Sequence, residues 1–184
     1  MTDSIDWDQV SKNGRDYVTL STASLSFILD KLPKENTNAA LDVGCGTGQV
    51  CRDLFHRGFD VTGVDISKEA VKQAKESTKY IGKGIDFIQC DIEADELSKE
   101  KKDLITCKYV YAFLNERKTF LKSIASAMHS DSLFVIISPS VEYVPPLKKH
   151  IAVEHSEIMK ELSSYFSSIE HVARNRDEYY FCKR

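Results

Sequence analysis

The chain has 184 residues, which is enough for one domain with a substantial core but leaves no room for a large separate substrate domain. Its formal net charge is −3. A chain this mildly acidic lacks the strong positive field that binding to a nucleic acid backbone requires, so DNA is not an expected partner.

The first ten residues are acidic and polar where a secretory signal is basic and then apolar, and the apolar runs of the chain are only strand-length. The five cysteines are odd in number and include no CxxC pair. This pattern is typical of buried, reduced thiols rather than of disulfides or a metal centre. We therefore expect a soluble, cytoplasmic protein with no membrane segment.

Near the N-terminus, apolar residues at helical spacing predict a helix from about residue 16 to residue 32, where Pro33 ends it. Residues 1–38 are expected to form a cap region over the sheet. Beyond them, apolar runs alternate with amphipathic stretches, which favours a parallel sheet with helices on both faces. The predicted strands cover residues 39–43, 59–65, 84–91, 103–110, 132–138, 168–174 and 178–183. The predicted helices between them cover residues 48–57, 67–80, 115–128 and 156–166.

The charged segment 93–103 can hold a short helix on a solvated face, and residues 139–154 are the least regular part of the chain. The last two strands are joined only by residues 175–177, so they should form a hairpin whose final strand is antiparallel to the rest. The expected fold class is α/β: a single Rossmann-like domain over residues 1–184, built as a three-layer αβα sandwich. Its seven-stranded sheet is mostly parallel, and its cofactor-binding core covers residues 39–184.

The stretch LDVGCGTG begins within the first predicted strand and continues beyond its end. It carries glycines at alternate positions: Gly44, Gly46 and Gly48. They allow the backbone to turn sharply and to approach a ligand closely, because glycine has no Cβ. Asp42 precedes them, and a carboxylate there repels a pyrophosphate but attracts an ammonium or sulfonium group. The loop therefore points to S-adenosylmethionine. A dinucleotide loop would need a further glycine at position 49, where this chain has Gln49.

Two further aspartates end the next two predicted strands. In an open parallel sheet, ligands bind beyond the carboxyl ends of the strands, near the point where the strand order reverses. There Asp65 can accept hydrogen bonds from the ribose 2′- and 3′-hydroxyls, and Asp91 can accept one from the exocyclic amine of adenine. Each aspartate can also simply cap the helix that follows it. Lys108 stands near the end of the fourth strand.

Together these features resemble the class I S-adenosylmethionine-dependent methyltransferases, from about residue 39 to the C-terminal hairpin. The matching segments read DVGCGTG, GVDIS, QCDI and DLITCK in this chain. The resemblance implies that the cofactor lies along the glycine loop and the ends of the first four strands. The residues expected to bind it are Tyr17, Asp42, Gly44, Cys45, Gly46, Gly48, Asp65, Ile66, Asp91, Ile92 and Lys108.

By that resemblance Asp42 lies near the cofactor amino group and Ile66 packs on adenine. The backbone N–H of Ile92 reaches an adenine ring nitrogen, and the end of the fourth strand lies along the methionine part. Tyr17 and the segment before it are expected to close over the cofactor, because aromatic residues precede the first strand. No chemistry is assigned to the thiol of Cys45.

No catalytic residue is assigned. Methyl transfer needs the acceptor held in line behind an already activated carbon, and it needs a base only where the acceptor loses a proton. The polar aromatic residues within reach of that position are Tyr17, Tyr109, Tyr111, Tyr143 and His150. No metal is expected, because His150, Glu154 and His155 are spaced one residue too widely for the HxxEH zinc helix. The chain also lacks the Asn/Asp-Pro-Pro-Tyr/Phe segment of the DNA and glutamine methyltransferases, which puts such acceptors in doubt.

The expected function is transfer of a methyl group by in-line displacement from S-adenosylmethionine to a small-molecule acceptor, with S-adenosylhomocysteine as the product. The N-terminal segment and residues 139–155 are expected to bound the acceptor. The alternative is a module that binds the cofactor without turnover, as a sensor or as the inactive partner subunit of a complex. A protein or RNA acceptor is a third interpretation. The cofactor motifs support binding in every case, so they do not separate these functions.

Overall fold

The structure is a computed structural model that describes residues 5–13, 19–33, 38–95, 97 and 100–184. Seven strands of these residues form one sheet. They are β1 (Ala39–Val43), β2 (Asp60–Asp65), β3 (Ile85–Gln89), β4 (Lys102–Lys108), β5 (Met128–Pro139), β6 (Ser168–Arg174) and β7 (Asp177–Lys183). The order across the sheet is β3-β2-β1-β4-β5-β7-β6. Neighbours from β3 to β5 are parallel and β7 is antiparallel to β5 and β6, which confirms the predicted fold class.

The helices lie on both faces of this sheet. They are α1 (Trp7–Lys12), α2 (Thr22–Leu29), α3 (Gln49–Phe55), α4 (Lys68–Thr78), α5 (Arg117–Ala127) and α6 (His155–Leu162). The apolar cluster on one face includes Leu25, Leu54 and Ala74, and the cluster on the other includes Phe120 and Ile158. A helical layer therefore covers each face, as the αβα prediction requires. Among the described residues, no helix is long and apolar enough to span a lipid bilayer.

The central strand β1 positions the carboxylate that the sequence singles out. β1 pairs with β2 on one side and with β4 on the other, so the strand order reverses beside it. Such a reversal opens a crevice beyond the carboxyl ends of the strands. In the register of the sheet, Asp42 lies between Gly63 of β2 and Thr106 of β4.

The turns follow the local chemistry of the sequence. Asn175 and Arg176 join β6 to β7 with φ values of 54° and 70°. Positive φ at both positions is what a tight two-residue hairpin turn requires, because it matches the twist of the strands. Gly58 has a φ of 89°, as predicted for a left-handed residue after a helix. Ser67 caps α4 by accepting a hydrogen bond from the Ala70 N–H at 3.0 Å.

The helix predicted from residue 16 was wrong at its start. α2 begins at Thr22, because the Ser21 side chain accepts a hydrogen bond from the Ser24 N–H at 3.1 Å and so caps the helix there. Leu20 lies outside the helix, and its backbone N–H donates to Oε1 of Gln49 at 3.0 Å.

The sequence patterns do not predict α1. Its N-cap is Asp6, whose side chain accepts a hydrogen bond from the Gln9 N–H at 3.1 Å. None of its residues is buried, so the segment offers no apolar periodicity to detect. Tyr17, which was expected to act together with this segment, lies outside the described residues.

The two segments with the least regular sequence contain turns and short 3₁₀ stretches where the structure describes them. The described part of residues 93–103 contains a turn and no helix, and the N–H groups of Ala94 and Asp95 donate to the carbonyl of Asp91. The segment between β5 and α6 contains two short 3₁₀ stretches, Val141–Tyr143 and Pro146–Ile151.

Candidate functional site

A cavity of about 480 Å³ opens at the carboxyl ends of the central strands. It brings together residues from four separate segments of the chain that the sequence predicts for a cofactor site. These nine residues are Asp42, Gly44, Cys45, Gly46, Asp65, Ile66, Asp91, Ile92 and Lys108. Gly48 does not line it, and Tyr17 lies outside the described part of the chain. A concave site with convergent polar groups at this position of an α/β sheet is where a ligand is expected to bind.

The glycine loop bends tightly against β2 and against the residues after β4. The N–H groups of Gly44 and Cys45 both donate to the Val64 carbonyl, at 2.8 and 3.0 Å. Gly44 has a φ of 68°, and a Cβ at this position would lie 2.1 Å from Cγ2 of Val110. A side chain at residue 44 would therefore both strain the backbone and push away the segment that follows β4.

Gly48 has a structural part in the same loop. It is the N-cap residue directly before α3, with a φ of 81°, and a Cβ there would lie 2.7 Å from the ring of Phe87. This glycine allows α3 to pack closely on β3 and thereby fixes the angle at which the helix leaves the loop. Gly48 faces the ring of Phe87, so it lies behind the cavity wall and does not line the cavity.

Asp42 is the most deeply buried carboxylate of the cavity, with 2% of its surface exposed. Burial raises its pKa to about 6, even though Thr106 Oγ1 and Cys51 Sγ donate hydrogen bonds to it at 2.6 and 3.5 Å. Removing a carboxylate from water is costly, and a cation beside it recovers part of that cost. A positively charged group placed beside Asp42 would therefore be favoured over an anion.

Asp65 links the glycine loop to the start of α4. Its Oδ2 accepts a hydrogen bond from the Gly46 N–H at 2.8 Å, and its Oδ1 accepts one from the Ser67 N–H at 2.9 Å. Burial raises its pKa, while these two N–H groups act in the opposite direction. An ionised carboxylate has about four acceptor positions, so Asp65 retains capacity for ligand hydroxyls. The side chain that caps α4 is that of Ser67, so the simple capping interpretation does not describe Asp65.

The end of β3 supplies the third acidic position. Oδ1 of Asp91 accepts a hydrogen bond from the Glu93 N–H at 3.0 Å, which sets the turn that follows. Ile92 is buried, whereas Ile66 leaves 47% of its surface exposed although both line the cavity. An aliphatic side chain exposed at the edge of a pocket offers a flat, apolar surface to a ligand ring.

The N-terminal segment, which was expected to bound the site, supplies part of the cavity wall. Trp7 of α1 lines the cavity, and its ring meets that of Phe113 edge-on with 4.9 Å between centroids. Oδ1 of Asp8 accepts hydrogen bonds from Ser67 Oγ at 2.7 Å and from the Glu69 N–H at 3.1 Å, which docks α1 on the start of α4. The sequence indicated this wall through the aromatic residues that precede the first strand, although it did not predict the helix that carries Trp7.

Gln49 has a role beyond breaking the dinucleotide pattern. Its amide accepts from the Leu20 N–H at 3.0 Å and donates to the Leu20 carbonyl at 3.3 Å. This pair of bonds ties the backbone before α2 to the first residue of α3. The N-terminal region is thereby fastened to the edge of the cavity.

The far end of the cavity is formed by the residues after β4. Tyr109 has a φ of 57°, and its hydroxyl donates a hydrogen bond to Oδ1 of Asp177 at 2.7 Å. The ammonium of Lys108 lies 4.1 Å from the centroid of the Tyr109 ring. Val110, Phe113 and Leu114 complete this end with apolar surface.

The other polar aromatic residues proposed from sequence lie elsewhere. Tyr111 is buried and donates a hydrogen bond to Oε2 of Glu161 at 2.5 Å, away from the cavity lining. Tyr143 and His150 do not line the cavity, and neither does any other residue of 139–155. Among the described residues, no cluster of three or more His, Cys, Asp or Glu side chains is arranged to hold a metal ion.

A family model described as a methyltransferase domain matches residues 34–184. The chain belongs to the class I S-adenosylmethionine-dependent methyltransferase family. The match includes the whole sheet and every element that lines the cavity except α1.

The chain resembles curated methyltransferases over part of its length. A ubiquinone biosynthesis O-methyltransferase of Idiomarina loihiensis is 33% identical over 91 residues, which are 48% of this chain and 37% of that relative. The match therefore covers little more than a third of that relative's length.

Solved structures of methyltransferases share the fold. A TehB-like S-adenosylmethionine-dependent methyltransferase of Corynebacterium glutamicum is 20% identical, with 97% of this chain and 94% of that chain covered and a TM-score of 0.70. A phosphoethanolamine N-methyltransferase 2 of Haemonchus contortus, in complex with S-adenosylhomocysteine, is 17% identical, with 90% of this chain and 42% of that chain covered and a TM-score of 0.71.

Proposed function

We propose that this protein transfers a methyl group from S-adenosylmethionine to the oxygen of a small-molecule acceptor. The observation that carries the proposal is Asp42, a buried carboxylate at the floor of the cavity beside a glycine loop that permits close approach. S-adenosylmethionine carries an ammonium and a sulfonium group, and few other nucleotide cofactors suit a buried carboxylate at this position. When bound, it supplies a methyl group that is already activated by its positive sulfur.

The residues that line the cavity fit this cofactor. Asp42 would hold its amino group, and Asp65 would accept hydrogen bonds from the ribose hydroxyls through its remaining lone pairs. Ile66 and Ile92 would pack on the adenine faces, with Asp91 at its exocyclic amine. Lys108 would lie along the methionine part.

Further proposed contacts come from the loop itself. Gly44, Cys45 and Gly46 would lie along the methionine and ribose through their backbone, because Gly44 and Gly46 both have positive φ. Gly48 would act indirectly by setting the direction of α3. For Tyr17, the proposed contact with the cofactor rests on the sequence alone.

A small acceptor is supported by the far end of the cavity. Its walls are the rings of Trp7 and Phe113 with Leu114, and the whole cavity measures about 480 Å³. Such walls suit a compact, partly apolar molecule better than a nucleic acid strand, whose phosphates need a basic surface. The name of the relative from Idiomarina loihiensis supports oxygen as the acceptor atom.

A thermal unfolding experiment tests the cofactor. The protein is heated with S-adenosylmethionine, S-adenosylhomocysteine or NAD, all three at the same concentration. A ligand present at about 100 times its dissociation constant adds about 2.7 kcal/mol to the free energy of unfolding. Stabilisation by the two sulfur compounds and not by NAD is the expected result. Stabilisation by NAD alone would contradict the proposal.

A labelling experiment tests turnover. S-adenosylmethionine labelled in its methyl group is incubated with the protein and fractionated cell extract, and label is expected in a low-molecular-weight fraction. Label in protein or RNA would replace the small acceptor with a macromolecule. Binding of S-adenosylhomocysteine without label in any fraction would support a module that binds the cofactor without turnover.

A further inference from the structure

We propose that Tyr109 receives the proton of an aromatic acceptor's hydroxyl while its own phenolic proton moves to Asp177. This assignment rests on the proposed function, because it needs a hydroxyl acceptor in the cavity. It adds a proton route to a site whose cofactor residues contain no base suited to the acceptor end.

Position is the first argument. Tyr109 follows β4 directly, and its neighbour Val110 packs so closely on the glycine loop that a Cβ on Gly44 would lie 2.1 Å from it. Tyr109 also lines the cavity. Its side chain therefore stands at the end where the methionine part of the cofactor and the acceptor would meet.

The backbone of Tyr109 is the second argument. Its φ of 57° is rare for an aromatic residue, because the Cβ crowds the following carbonyl in this conformation. Strained residues persist where the surrounding structure holds them, and they concentrate at functional sites. Two bonds hold this one: the Tyr109 N–H donates to the Ile137 carbonyl at 2.8 Å, and its hydroxyl donates to Asp177 Oδ1 at 2.7 Å.

The lining residues at the end of β4 and after it offer few groups that can accept a proton. These residues are Lys108, Tyr109, Val110, Phe113 and Leu114, and of these only Lys108 and Tyr109 have polar side chains. A protonated lysine has no lone pair with which to accept a proton. Asp177 does not line the cavity, so it can take a proton from the acceptor only through the Tyr109 hydroxyl. That hydroxyl donates to Asp177 and keeps its own lone pairs for the acceptor.

The charges around the pair suit a proton acceptor. Burial raises the pKa of Asp177, which makes it a stronger base than an exposed carboxylate, while Tyr109 and Lys108 lower it. Glu178 is the remaining charged group that acts on Asp177, and it favours the protonated form. The Lys108 ammonium, 4.1 Å from the centre of the Tyr109 ring, stabilises negative charge that develops on Tyr109 during transfer.

The acceptor oxygen forms a bond to the methyl carbon, and the electron pair of the breaking carbon–sulfur bond stays on sulfur. The acceptor proton passes to Oη of Tyr109 as the Tyr109 proton passes to Oδ1 of Asp177. Asp177 then releases the proton to solvent, and Tyr109 regains its original hydrogen bond.

The binding test uses 4-nitrophenol and its methyl ether 4-nitroanisole, titrated with S-adenosylhomocysteine present and at a pH below the pKa of the phenol. Trp7 is the single tryptophan of the chain and lines the cavity, so its fluorescence reports occupancy. Wild-type protein is expected to prefer the phenol by about tenfold, because only the phenol can donate to Tyr109 Oη. Tyr109→Phe should lose this preference, whereas Asp177→Asn should keep it within about threefold.

The kinetic test follows labelled methyl transfer to 4-nitrophenol. Tyr109→Phe and Asp177→Asn should each lower kcat by about 100-fold. Asp177→Asn should leave the KM for 4-nitrophenol nearly unchanged, because the asparagine oxygen still accepts the hydrogen bond of the Tyr109 hydroxyl. Its effect is on kcat, because the amide does not take up the proton. Tyr111→Phe is the matched control, since Tyr111 also donates to a carboxylate but does not line the cavity. It should leave the phenol preference and kcat within about threefold of wild type.

Several results would overturn this proton route. They are a kcat of Tyr109→Phe within threefold of wild type, no preference of wild type for the phenol over its ether, and no binding or methylation of 4-nitrophenol by protein that binds S-adenosylhomocysteine. Melting temperatures of the three variants near that of wild type establish that they fold. Failure of wild-type protein to bind S-adenosylhomocysteine would instead count against the proposed function itself.

Discussion

Thr106 Oγ1 donates a hydrogen bond to Asp42 Oδ1 at 2.6 Å, across two strands in which these residues are register partners. Asp42 is almost completely buried, and this bond compensates only part of the cost of removing a carboxylate from water. The central strand of the sheet therefore carries a group that destabilises the free protein and is available to bind a cation. Function and stability oppose each other at this position.

The first prediction concerns the stability of the free protein. Burial raises the pKa of Asp42 from 3.8 in the unfolded chain to about 6 in the folded protein. Protonated Asp42 therefore stabilises the fold relative to ionised Asp42, and this stabilisation is complete below pH 3.8 and is lost as the pH rises through 6. The free energy of unfolding that is lost between these pH values is about 3 kcal/mol. Asp42→Asn keeps an acceptor for Thr106 without the charge and should raise the free energy of unfolding at pH 7.5. Urea unfolding of both proteins at pH 4 and pH 7.5 measures this.

The expected result is a variant more stable than wild type at pH 7.5 and nearly equal to it at pH 4. Subtracting the two proteins removes the titration of all other groups. An equal difference at both pH values would mean that the carboxylate charge is not what destabilises this strand.

The second prediction concerns the same residue with ligand bound. Only ionised Asp42 attracts an ammonium group, so affinity for S-adenosylhomocysteine should fall as the pH is lowered through about 6. Asp42→Asn should bind at least tenfold more weakly at pH 7.5 and lose this part of the pH dependence. Calorimetric titrations at pH 5.5 and pH 7.5 test both statements. A variant that binds as tightly as wild type would exclude Asp42 as the partner of the amino group.

The third prediction concerns the glycine loop. Gly44→Ala places a Cβ 2.1 Å from Val110 Cγ2 at a φ of 68°. We expect it to cost about 1–2 kcal/mol for the backbone and a further 1–3 kcal/mol for the overpacking. Gly58→Ala is the matched control, because its φ is 89° and no atom lies within 4 Å of the added Cβ. Gly58→Ala should lower the free energy of unfolding only by the backbone cost of about 1–2 kcal/mol. Urea unfolding of both variants measures the two changes.

A second substitution separates the two costs at residue 44. Val110→Ala removes the atom that a Cβ on residue 44 would strike, so the double variant should recover part of the stability lost by Gly44→Ala. Strictly additive effects of the two substitutions would show that Val110 does not set the tolerance of this position.

The features that could be predicted from the sequence are those encoded by residues close together in the chain. The order Asp42-Val43-Gly44 and the acidic ends of β2 and β3 lie in local patterns, and the structure brings them to one cavity. The hairpin follows from its two-residue turn at Asn175 and Arg176. Periodicity and turn chemistry act within a few residues, so these elements could be predicted closely.

Contacts between distant residues could not be predicted in this way. The hydroxyl of Tyr109 meets Asp177 across 68 positions of the chain, and Ser67 Oγ meets Asp8 across 59. Neither pair follows from spacing, because each depends on where the whole sheet places its strand ends. The contact of the Gln49 amide with Leu20 is of the same kind, whereas the Ser21 cap that begins α2 is local and could have been read from the sequence.

The last prediction concerns the docking of α1. This helix buries none of its residues and is held at the start of α4 by Asp8, whose pKa is lowered by the hydrogen bonds from Ser67 and Glu69. Asp8→Ala removes both bonds, so α1 should leave the cavity more often. S-adenosylhomocysteine should then dissociate several times faster, with a smaller effect on the rate of its association. Stopped-flow fluorescence of Trp7 measures both rates.

A control on the same helix makes this test specific. Gln9 is exposed on α1, so Gln9→Ala should leave the docking contacts of Asp8 intact and both rates unchanged. Trp7 should also respond in the free protein, because loss of the Asp8 contacts moves its ring from Phe113 into water and shifts its emission to longer wavelength. If Asp8→Ala changes neither the emission nor the dissociation rate, the remaining contacts of α1, which include those of Ser11 with Ser67 and Gln73, are enough to hold the helix, and Asp8 has no part in retaining the ligand.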